Sequence, residues 1–400
     1  MADLETFRAE TAAWLDAHAP QSIRGIESNE LNGTWGGRKA TYPNPGLKQW
    51  LDVCAEKGFT APTWPREYGG GGLSDAEAKV LLEEAARLKL PASLIGFGLT
   101  MIGPTLLRYG SEEQKREHLP RICRGEIRWC QGYSEPGSGS DLASLQARAV
   151  RDGDDFVISG QKVWTSYANQ ADWIFALVRT DPNAKKQEGI TFILIDMDSP
   201  GVTVEPILLI SGKSPFCATY FDEVRVPVAN VVSEINNGWT VAKALLGHER
   251  TMIADTFGGG ARRTAGRSRF VELADRYLGI DEQGRIQDAV LRSDIVQNEM
   301  DAKAFGLTVQ RSRDSAKAGH QPGAESSMFK VYGTEINMRR QEVMVRILGP
   351  QALGWEGPGY EADELSQTRD WLRSRGNSIE GGTSEIQLNI IAKHVLVLPD

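Results

Sequence analysis

The 400-residue chain is poor in the residues that form disulfides, bind metals or cross membranes. Its four cysteines, Cys54, Cys123, Cys130 and Cys217, show no paired spacing, which is typical of reduced thiols in a cytoplasmic protein. The five histidines are scattered without metal-ligand spacing. No apolar run has the length of a bilayer span, and the charged N-terminus is typical of a first helical turn, not a signal peptide. We therefore expect a cytoplasmic protein with no metal site and no membrane span.

Positive charge is also scarce, since 45 Lys and Arg face 53 Asp and Glu, for a net charge of −8. This balance argues against a nucleic-acid partner. No Gly-x-Gly-x-x-Gly follows a predicted strand, which disfavours a Rossmann-type nicotinamide site. The length leaves room for two or three domains with a large core.

Hydrophobic periodicity divides the chain into three parts. Residues 1–125 have helical spacing, 126–235 contain short strands separated by Gly, Pro and Asp, and 236–400 are helical again. We predict an α+β multidomain protein, with an N-terminal all-α domain, a middle antiparallel β-sandwich or barrel and a C-terminal four-helix bundle. The predicted strands are 156–159, 173–178, 191–195, 202–206 and 220–226, and the predicted long helices are 239–264, 286–318, 327–348 and 384–396.

The segment 133–141 packs three serine hydroxyls, two glycines, a proline and two carboxylates into nine positions. Proline and glycine break helices and central strands, so we predict a tight turn with free hydroxyls and amides. Such groups suit a planar polar heterocycle or a phosphate. On composition alone, a solvated loop is the alternative.

Glu249 lies within the apolar stripe of a predicted helix. Its neighbours at helical spacing are Ala242, Leu245, Leu246, Met252 and Ile253. A carboxylate buried without a partner has a raised pKa, which suits a general base. The alternatives are a glutamate at the edge of the stripe, or one paired with Arg250 or a facing arginine.

Seven segments in order along the chain resemble the acyl-CoA dehydrogenases. They include KGF and PTWPREYGG at 57–70, YGSEEQK at 109–115, the turn at 133–141, GQKVWTS at 160–166, VRVP at 224–227 followed by Gly238-Trp239, and IEGGTSEIQ at 379–387. The resemblance covers nearly the whole chain and implies an FAD cofactor.

The resemblance implies a flavin site in the middle domain. Ser134 and Ser166 correspond to hydroxyls that bond the isoalloxazine ring, and backbone groups around Gln131 and Tyr133 complete that edge. Trp164 corresponds to an aromatic ring beside the flavin, whereas an indole is otherwise most often core.

The rest of the cofactor is implied to contact three further residues. Ser140 matches a hydroxyl at the FAD pyrophosphate and is also a candidate substrate contact. Thr383 and Glu385 match positions near the adenosine.

Two family solutions exist for the catalytic base. Many members carry a glutamate directly before the C-terminal Gly-Thr, where this chain has Gly381, and Glu380 is one residue out of register. In the other solution the base precedes an arginine on the first long C-terminal helix, and Glu249-Arg250 matches it. The base is therefore assigned to Glu249. Arg250 either orients the site and meets the CoA moiety or forms a helix salt bridge.

The resemblance implies α,β-dehydrogenation of an acyl-CoA thioester to the trans-2-enoyl-CoA. Glu249 would remove the α-proton while the β-hydrogen passes as hydride to flavin N5. The Gly381 N–H and the FAD ribityl 2′-hydroxyl would stabilise the thioester oxygen. Electrons would pass to an electron-transfer flavoprotein. A branched, long or ring-bearing acyl group is favoured. The alternatives are an acyl-CoA oxidase and an FAD/CoA-binding subunit without catalysis.

Two departures concern the part of the FAD site that the family builds across a subunit interface. The usual Arg-x-x-Phe-Gly is replaced by residues 268–273, SRFVEL, and the usual Gln and Gly-Gly by residues 346–351, RILGPQ. Either the protein is a homotetramer or dimer with a remodelled FAD contact, or it is a heterotetramer with a paralogous subunit.

Overall fold

The computed structural model describes residues 2–26, 32–246, 268–318 and 323–399. They divide into two compact units. The first contains the residues up to Ile207 together with Pro215–Leu246, and the second contains Leu208–Ser214 and the described residues from Ser268 on. The three-part division at 125 and 235 stays a prediction.

The first unit begins with five helices, as the helical spacing predicts. They are α1 (Ala2–His18), α2 (Pro45–Lys57), α3 (Asp75–Arg87), α4 (Gly103–Tyr109) and α5 (Glu112–Cys123). Helix α5 starts at a capping box, because the Ser111 side chain accepts from the Gln114 amide and the Gln114 side chain accepts from the Ser111 amide. Leu15, Trp50 and Leu81 are among the apolar side chains buried between the helices.

Seven strands follow, and they contain all five predicted strand segments. They are β1 (Trp129–Gly132), β2 (Arg148–Asp152), β3 (Asp155–Ser166), β4 (Trp173–Arg179), β5 (Ile190–Asp196), β6 (Val202–Ile207) and β7 (Phe216–Pro227). The sheet order is β1-β4-β2-β3-β7-β6, with β5 on β4. Four pairings are antiparallel. Two parallel pairings, β1 with β4 and β2 with β4, add to the antiparallel arrangement that the sequence predicts.

A buried carboxylate joins the N-terminal helices to the sheet. Asp172 is 0% exposed and accepts from the amide nitrogens of Arg38, at 3.0 and 3.1 Å, and Arg128, at 2.7 Å. The Gln114 amide group on α5 also donates to the carbonyl oxygens of Ala229 and Val231. These bonds hold the helices and the sheet in one unit.

Residues 238–246 form a further helix, α6, at the end of the first unit. The described helices of the second unit are α7 (Arg269–Tyr277), α8 (Ala289–Lys317), α9 (Ser327–Leu348), α10 (Ala362–Ser374) and α11 (Ser384–His394). The predicted runs 286–318, 327–348 and 384–396 are therefore confirmed as helices, whereas the run 239–264 is described only to residue 246. Phe270, Leu273 and Ile347 lie in the core of this unit.

The described helices include none long and apolar enough to span a membrane. Over the same ranges, no three or more His, Cys, Asp and Glu side chains are grouped as a metal site would need. The four cysteines are buried free thiols.

Candidate functional site

The predicted turn follows β1 directly. The Glu135 amide donates to the Ser138 carbonyl at 3.1 Å, and the Ser138 amide donates back to the Glu135 carbonyl at 3.0 Å. Pro136 and Gly137 form the exposed tip of this tight turn, where a Cβ on Gly137 would meet nothing within 4 Å. The predicted tight turn is confirmed.

The buried ring of Tyr133 anchors the first residue of the turn in the core of the sheet. Tyr133 is buried, with its ring edge-on to Phe175 at 6.1 Å and to Phe192 at 6.3 Å between centroids. Gln131 precedes it on β1, where it pairs with Phe175 of β4. Because the Tyr133 ring is buried, a ligand bound at the surface of the turn could contact only the backbone of Tyr133, not its phenol.

Trp164 lies where β3 departs from regular pairing with β7. The register shifts between Lys162 and Thr165, and Trp164 has a left-handed backbone with φ of 61°. Such a conformation costs a bulky residue about 1–3 kcal/mol. The indole is 52% exposed, with one edge against Phe216. The interpretation of Trp164 as a core residue is therefore excluded.

The structure brings the turn and β3 side by side. The Val163 amide donates to the Ser134 carbonyl at 2.9 Å, which sets Ser134 next to the residue before Trp164. Ser166 ends β3 two residues after Trp164, and the Ser134 and Ser166 side chains are both half-buried. Ser134 thus lies beside β3, one residue from the exposed indole of Trp164, and Ser166 follows on the same strand.

Ser140 lies farther along the turn and is exposed. Its neighbour Asp141 pairs with Lys186 at 2.7 Å. The Ser138 and Ser144 hydroxyls are 3.1 Å apart and close this part of the turn. Ser140 therefore remains accessible, as a pyrophosphate contact requires.

A buried lysine supports the turn from β3. The Lys162 ammonium lies 2.7 Å from the Glu135 carboxylate, and both side chains are buried. Burial lowers the pKa of Lys162 to about 8, and Glu135 opposes this shift. Sequence analysis did not identify this pair, although both residues lie in the two flavin-related segments.

In the second unit, two glycines lead into α11. Gly381 and Gly382 have φ of 64° and 88°, and a Cβ on Gly382 would collide with the side-chain amide of Gln387. Thr383 caps α11, since its hydroxyl accepts from the Ile386 amide at 3.2 Å. Glu385 is exposed in the first turn of α11. The adenosine contacts of Thr383 and Glu385 stay predictions.

Glu380 is occupied by structural partners. Its carboxylate accepts from Arg373 at 2.6 Å and from the Asn377 side chain. This agrees with the assignment of the base away from Glu380. The assigned base, Glu249, and its neighbour Arg250 lie outside the described residues.

Lys330 was also missed by sequence analysis. Its side chain on α9 is 1% exposed and donates to the Ser378 carbonyl at 2.9 Å. Burial lowers the pKa of Lys330, and the nearby Glu380 and Glu385 oppose this shift. A lysine among the buried positions of α9 was the available signal.

A separate open groove of about 610 Å³ lies in the first unit, lined in part by Phe7, Trp14, Phe59 and Arg66. None of the predicted site residues that the structure describes lines it. The groove therefore gives no support to the predicted site, which rests on the turn and β3.

Comparison with known proteins decides the family. The acyl-CoA dehydrogenase N-terminal, middle and C-terminal domain profiles match residues 3–126, 130–224 and 236–396. The chain belongs to the acyl-CoA dehydrogenase family. The resemblance to this family and the predicted fold class are confirmed.

Several relatives are similar over the full length of this family member. Acyl-CoA dehydrogenase IpdE1 of Mycobacterium tuberculosis is 36% identical over 100% of this chain and 99% of its own. The solved Tcur3481-Tcur3483 steroid ACAD is 33% identical with a TM-score of 0.75, covering 100% of this chain and 98% of that one. The ChsE4-ChsE5 complex of M. tuberculosis is 30% identical with a TM-score of 0.72, covering 100% and 98%.

As a member of this family, the chain is a flavin-dependent oxidoreductase that dehydrogenates acyl-CoA. The family's cofactor is FAD, and the residue types of Ser134, Trp164 and Ser166, on the turn and the β3 strand beside it, fit it chemically. Hydroxyls can bond the polar edge of an isoalloxazine ring, and an exposed indole can pack beside it. An indole held outward on a left-handed backbone has no core-packing explanation, so we regard these residues as suited to FAD.

Proposed function

We propose that this acyl-CoA dehydrogenase family member performs FAD-dependent α,β-dehydrogenation of ring-bearing acyl-CoA thioesters. The observation that carries the cofactor assignment is the pairing of the turn with β3, which sets Ser134 next to Val163 and close along the strand to the exposed Trp164. When bound there, FAD supplies the acceptor for the β-hydrogen. Gln131 and Tyr133 would contribute backbone groups, and Ser140, Thr383 and Glu385 would contact the rest of the cofactor.

Two residues outside the turn and β3 would carry the proton chemistry. Glu249 would remove the α-proton, because the sequence predicts it within an apolar helix stripe, where a carboxylate suits the role of a general base. The Gly381 amide donates to the thioester oxygen as charge develops on it. The left-handed Gly381–Gly382 turn supports this role, because it opens the backbone at the start of α11. Arg250 orients this site or meets the CoA moiety.

The acyl group is proposed to carry rings. The solved Tcur3481-Tcur3483 pair, named as a steroid ACAD and 33% identical to this chain, supports this choice over a plain short chain. A panel of short, branched, long and steroid-ring acyl-CoAs, screened for loss of the oxidised flavin absorbance, tests it. Equal bleaching by a plain short-chain thioester would contradict the ring preference.

We further propose that a paralogous subunit completes the FAD site. The relatives ChsE4-ChsE5 and Tcur3481-Tcur3483 are each named as a pair of chains. In this chain Arg269 pairs with Asp363 at 3.4 Å and Arg346 with Asp294 at 2.6 Å, so both arginines have local partners. Native mass and flavin content of the chain purified alone test this proposal, and a homotetramer with one FAD per chain would refute it.

The base assignment is tested by Glu249→Gln with ferrocenium as electron acceptor. We expect dehydrogenation to fall by about 100-fold or more, in line with the loss of a general base. Glu380→Gln is the matched control, since it removes a carboxylate that already has structural partners. Unchanged turnover in Glu249→Gln, or a larger loss in Glu380→Gln, would show that the assignment is wrong.

The choice between dehydrogenase and oxidase depends on the electron acceptor. We propose an electron-transfer flavoprotein as the physiological acceptor. Oxygen consumption and hydrogen peroxide formation with the preferred acyl-CoA test this, with ferrocenium turnover as the reference rate. Oxygen turnover as fast as that with ferrocenium would favour an acyl-CoA oxidase.

A further inference from the structure

A buried ion pair lies behind the turn that carries Ser134. The Lys162 Nζ and the Glu135 Oε1 are 2.7 Å apart, with Lys162 0% and Glu135 8% exposed. Removing two charges from water is costly, and a buried pair often stabilises a fold no better than apolar side chains would. The position of the pair therefore calls for an explanation other than stability.

Lys162 and Val163 donate hydrogen bonds to three consecutive residues of the chain, Tyr133, Ser134 and Glu135. The Lys162 ammonium donates to the Tyr133 carbonyl at 3.1 Å as well as to Glu135. The Val163 amide donates to the Ser134 carbonyl at 2.9 Å. Two adjacent residues of β3 thus fix the stretch from Tyr133 to Glu135.

The Glu135 carboxylate extends this contact to a third segment. Its two oxygens accept from the amides of Gln146, at 2.7 Å, and Ala147, at 2.9 Å. Arg179 holds the same segment, since its guanidinium donates to the Ala143 carbonyl at 2.6 Å and the Leu145 carbonyl at 3.2 Å. The carboxylate therefore joins the turn, β3 and the residues leading into β2.

We propose that Lys162 and Glu135 are positioning residues that set the spacing between Ser134 and Trp164 for the flavin ring. This inference rests on the proposed function. Both side chains are buried, so they act through the Tyr133 and Ser134 backbone on one side and through Val163, next to Trp164, on the other. A purely structural pair would stabilise the sheet without any separate effect on the cofactor.

Three full-length variants test the pair: Lys162→Met, Glu135→Gln and the double variant. Each single change leaves one buried charge without its partner, so both lower the thermal midpoint. In Lys162→Met we expect the FAD dissociation constant of the folded protein to rise by about tenfold or more, because the turn loses its spacing.

The double variant separates positioning from stability. It removes both charges, so we expect its thermal midpoint to recover relative to the single variants. FAD affinity should not recover, because the Tyr133 carbonyl still lacks its ammonium donor. Recovery of affinity together with stability would overturn the inference.

Val224→Ala is the matched control for destabilisation. Val224 is fully buried in β7 of the same sheet and belongs to the apolar core of the strands. We expect a lower thermal midpoint with FAD affinity unchanged in the folded protein. A weakening of FAD as large as in Lys162→Met would show that lost stability alone explains the effect, and would overturn the inference.

Amide hydrogen exchange of the FAD-free full-length chain gives a readout that does not depend on the cofactor. In Lys162→Met we expect faster exchange in peptides covering 133–147 and 160–166, with no change in α1. Unchanged exchange would overturn the inference even if FAD binds. If the wild-type chain binds no FAD, alone or with a partner subunit, the proposed function fails while the exchange result still decides the positioning role.

Discussion

The ammonium nitrogen of Lys330 lies 2.9 Å from the carbonyl oxygen of Ser378, three residues before Gly381. The lysine side chain is buried on α9, so this bond ties the loop before α11 to the body of the second unit. The left-handed turn at Gly381 and Gly382 follows after two intervening residues. The lysine therefore supports the backbone that we propose as the oxyanion donor.

For Lys330→Met we expect kcat to fall by about tenfold or more, because a small displacement of an oxyanion donor has a large effect on rate. Exchange of the 378–382 amides should become faster. Lys303→Met is the control, since Lys303 lies exposed on α8. Unchanged kcat and exchange in Lys330→Met would contradict the supporting role.

Trp164→Gly separates backbone strain from cofactor binding. Glycine tolerates φ of 61° without strain, but it loses more entropy on folding, so we expect the unfolding free energy to change by less than about 1 kcal/mol. FAD affinity, measured by flavin fluorescence, should fall because the indole is gone. Trp164→Phe should retain most of the affinity. Equal affinity in the glycine variant would contradict a flavin contact.

We expect the folded protein to lose stability in mild acid because of His118. It is buried against the edges of Trp129 and Trp173, and burial lowers its pKa from 6.5 to about 4. The unfolded state therefore takes up the proton first as the pH falls. The contribution of neutral His118 is present above about pH 6.5 and is lost as the pH falls through about 4. The loss amounts to about 3 kcal/mol.

Denaturant unfolding at several pH values checks this prediction. We expect the wild-type unfolding free energy to decrease more between pH 6.5 and 4 than that of His118→Phe, which has no titrating ring. Carboxylates contribute equally to both proteins, so the difference reports on His118. Parallel curves would contradict the lowered pKa.

The four cysteines should resist alkylation in the native protein. All are buried, and burial raises the pKa of Cys54 and Cys123 to about 12 and also raises that of Cys130 and Cys217. Because the thiolate is the reactive form, we expect iodoacetamide at about pH 8 to modify the folded chain far more slowly than the unfolded chain. The reaction is followed by intact-mass measurement. Rapid addition of carbamidomethyl groups to the native protein would contradict the prediction.

Local patterns predicted the strands and the tight turn, because each depends on neighbouring residues. The pairing of Lys162 with Glu135 could not be predicted, since it joins residues 27 positions apart through the strand register. The outward indole of Trp164 depends on an irregularity in pairing with β7 that alternation does not reveal. Helices α7 and α10 lie outside the predicted long helices, because a short helix has a weak periodic pattern.

For the predicted site, residue types could be read from the chain, whereas their neighbours required the structure. In the first unit a backbone hydrogen bond sets Ser134 beside the β3 strand that carries Trp164 and Ser166, and in the second Gly381, Thr383 and Glu385 lie close along the chain. The support of both groups by buried lysines was not predicted, because a lysine in a sequence is normally assigned to the surface.

The carboxylate of Asp172 limits how this protein can be cut into parts. It accepts amide protons from Arg38 in the N-terminal segment and from Arg128 at the entrance to the sheet. A fragment that began after residue 125 would leave this buried oxygen pair without one of its two donor residues and would uncover apolar side chains. The sheet is therefore not an excisable flavin module. An exchange of the middle segment between relatives would therefore have to include the loop that contains Arg38.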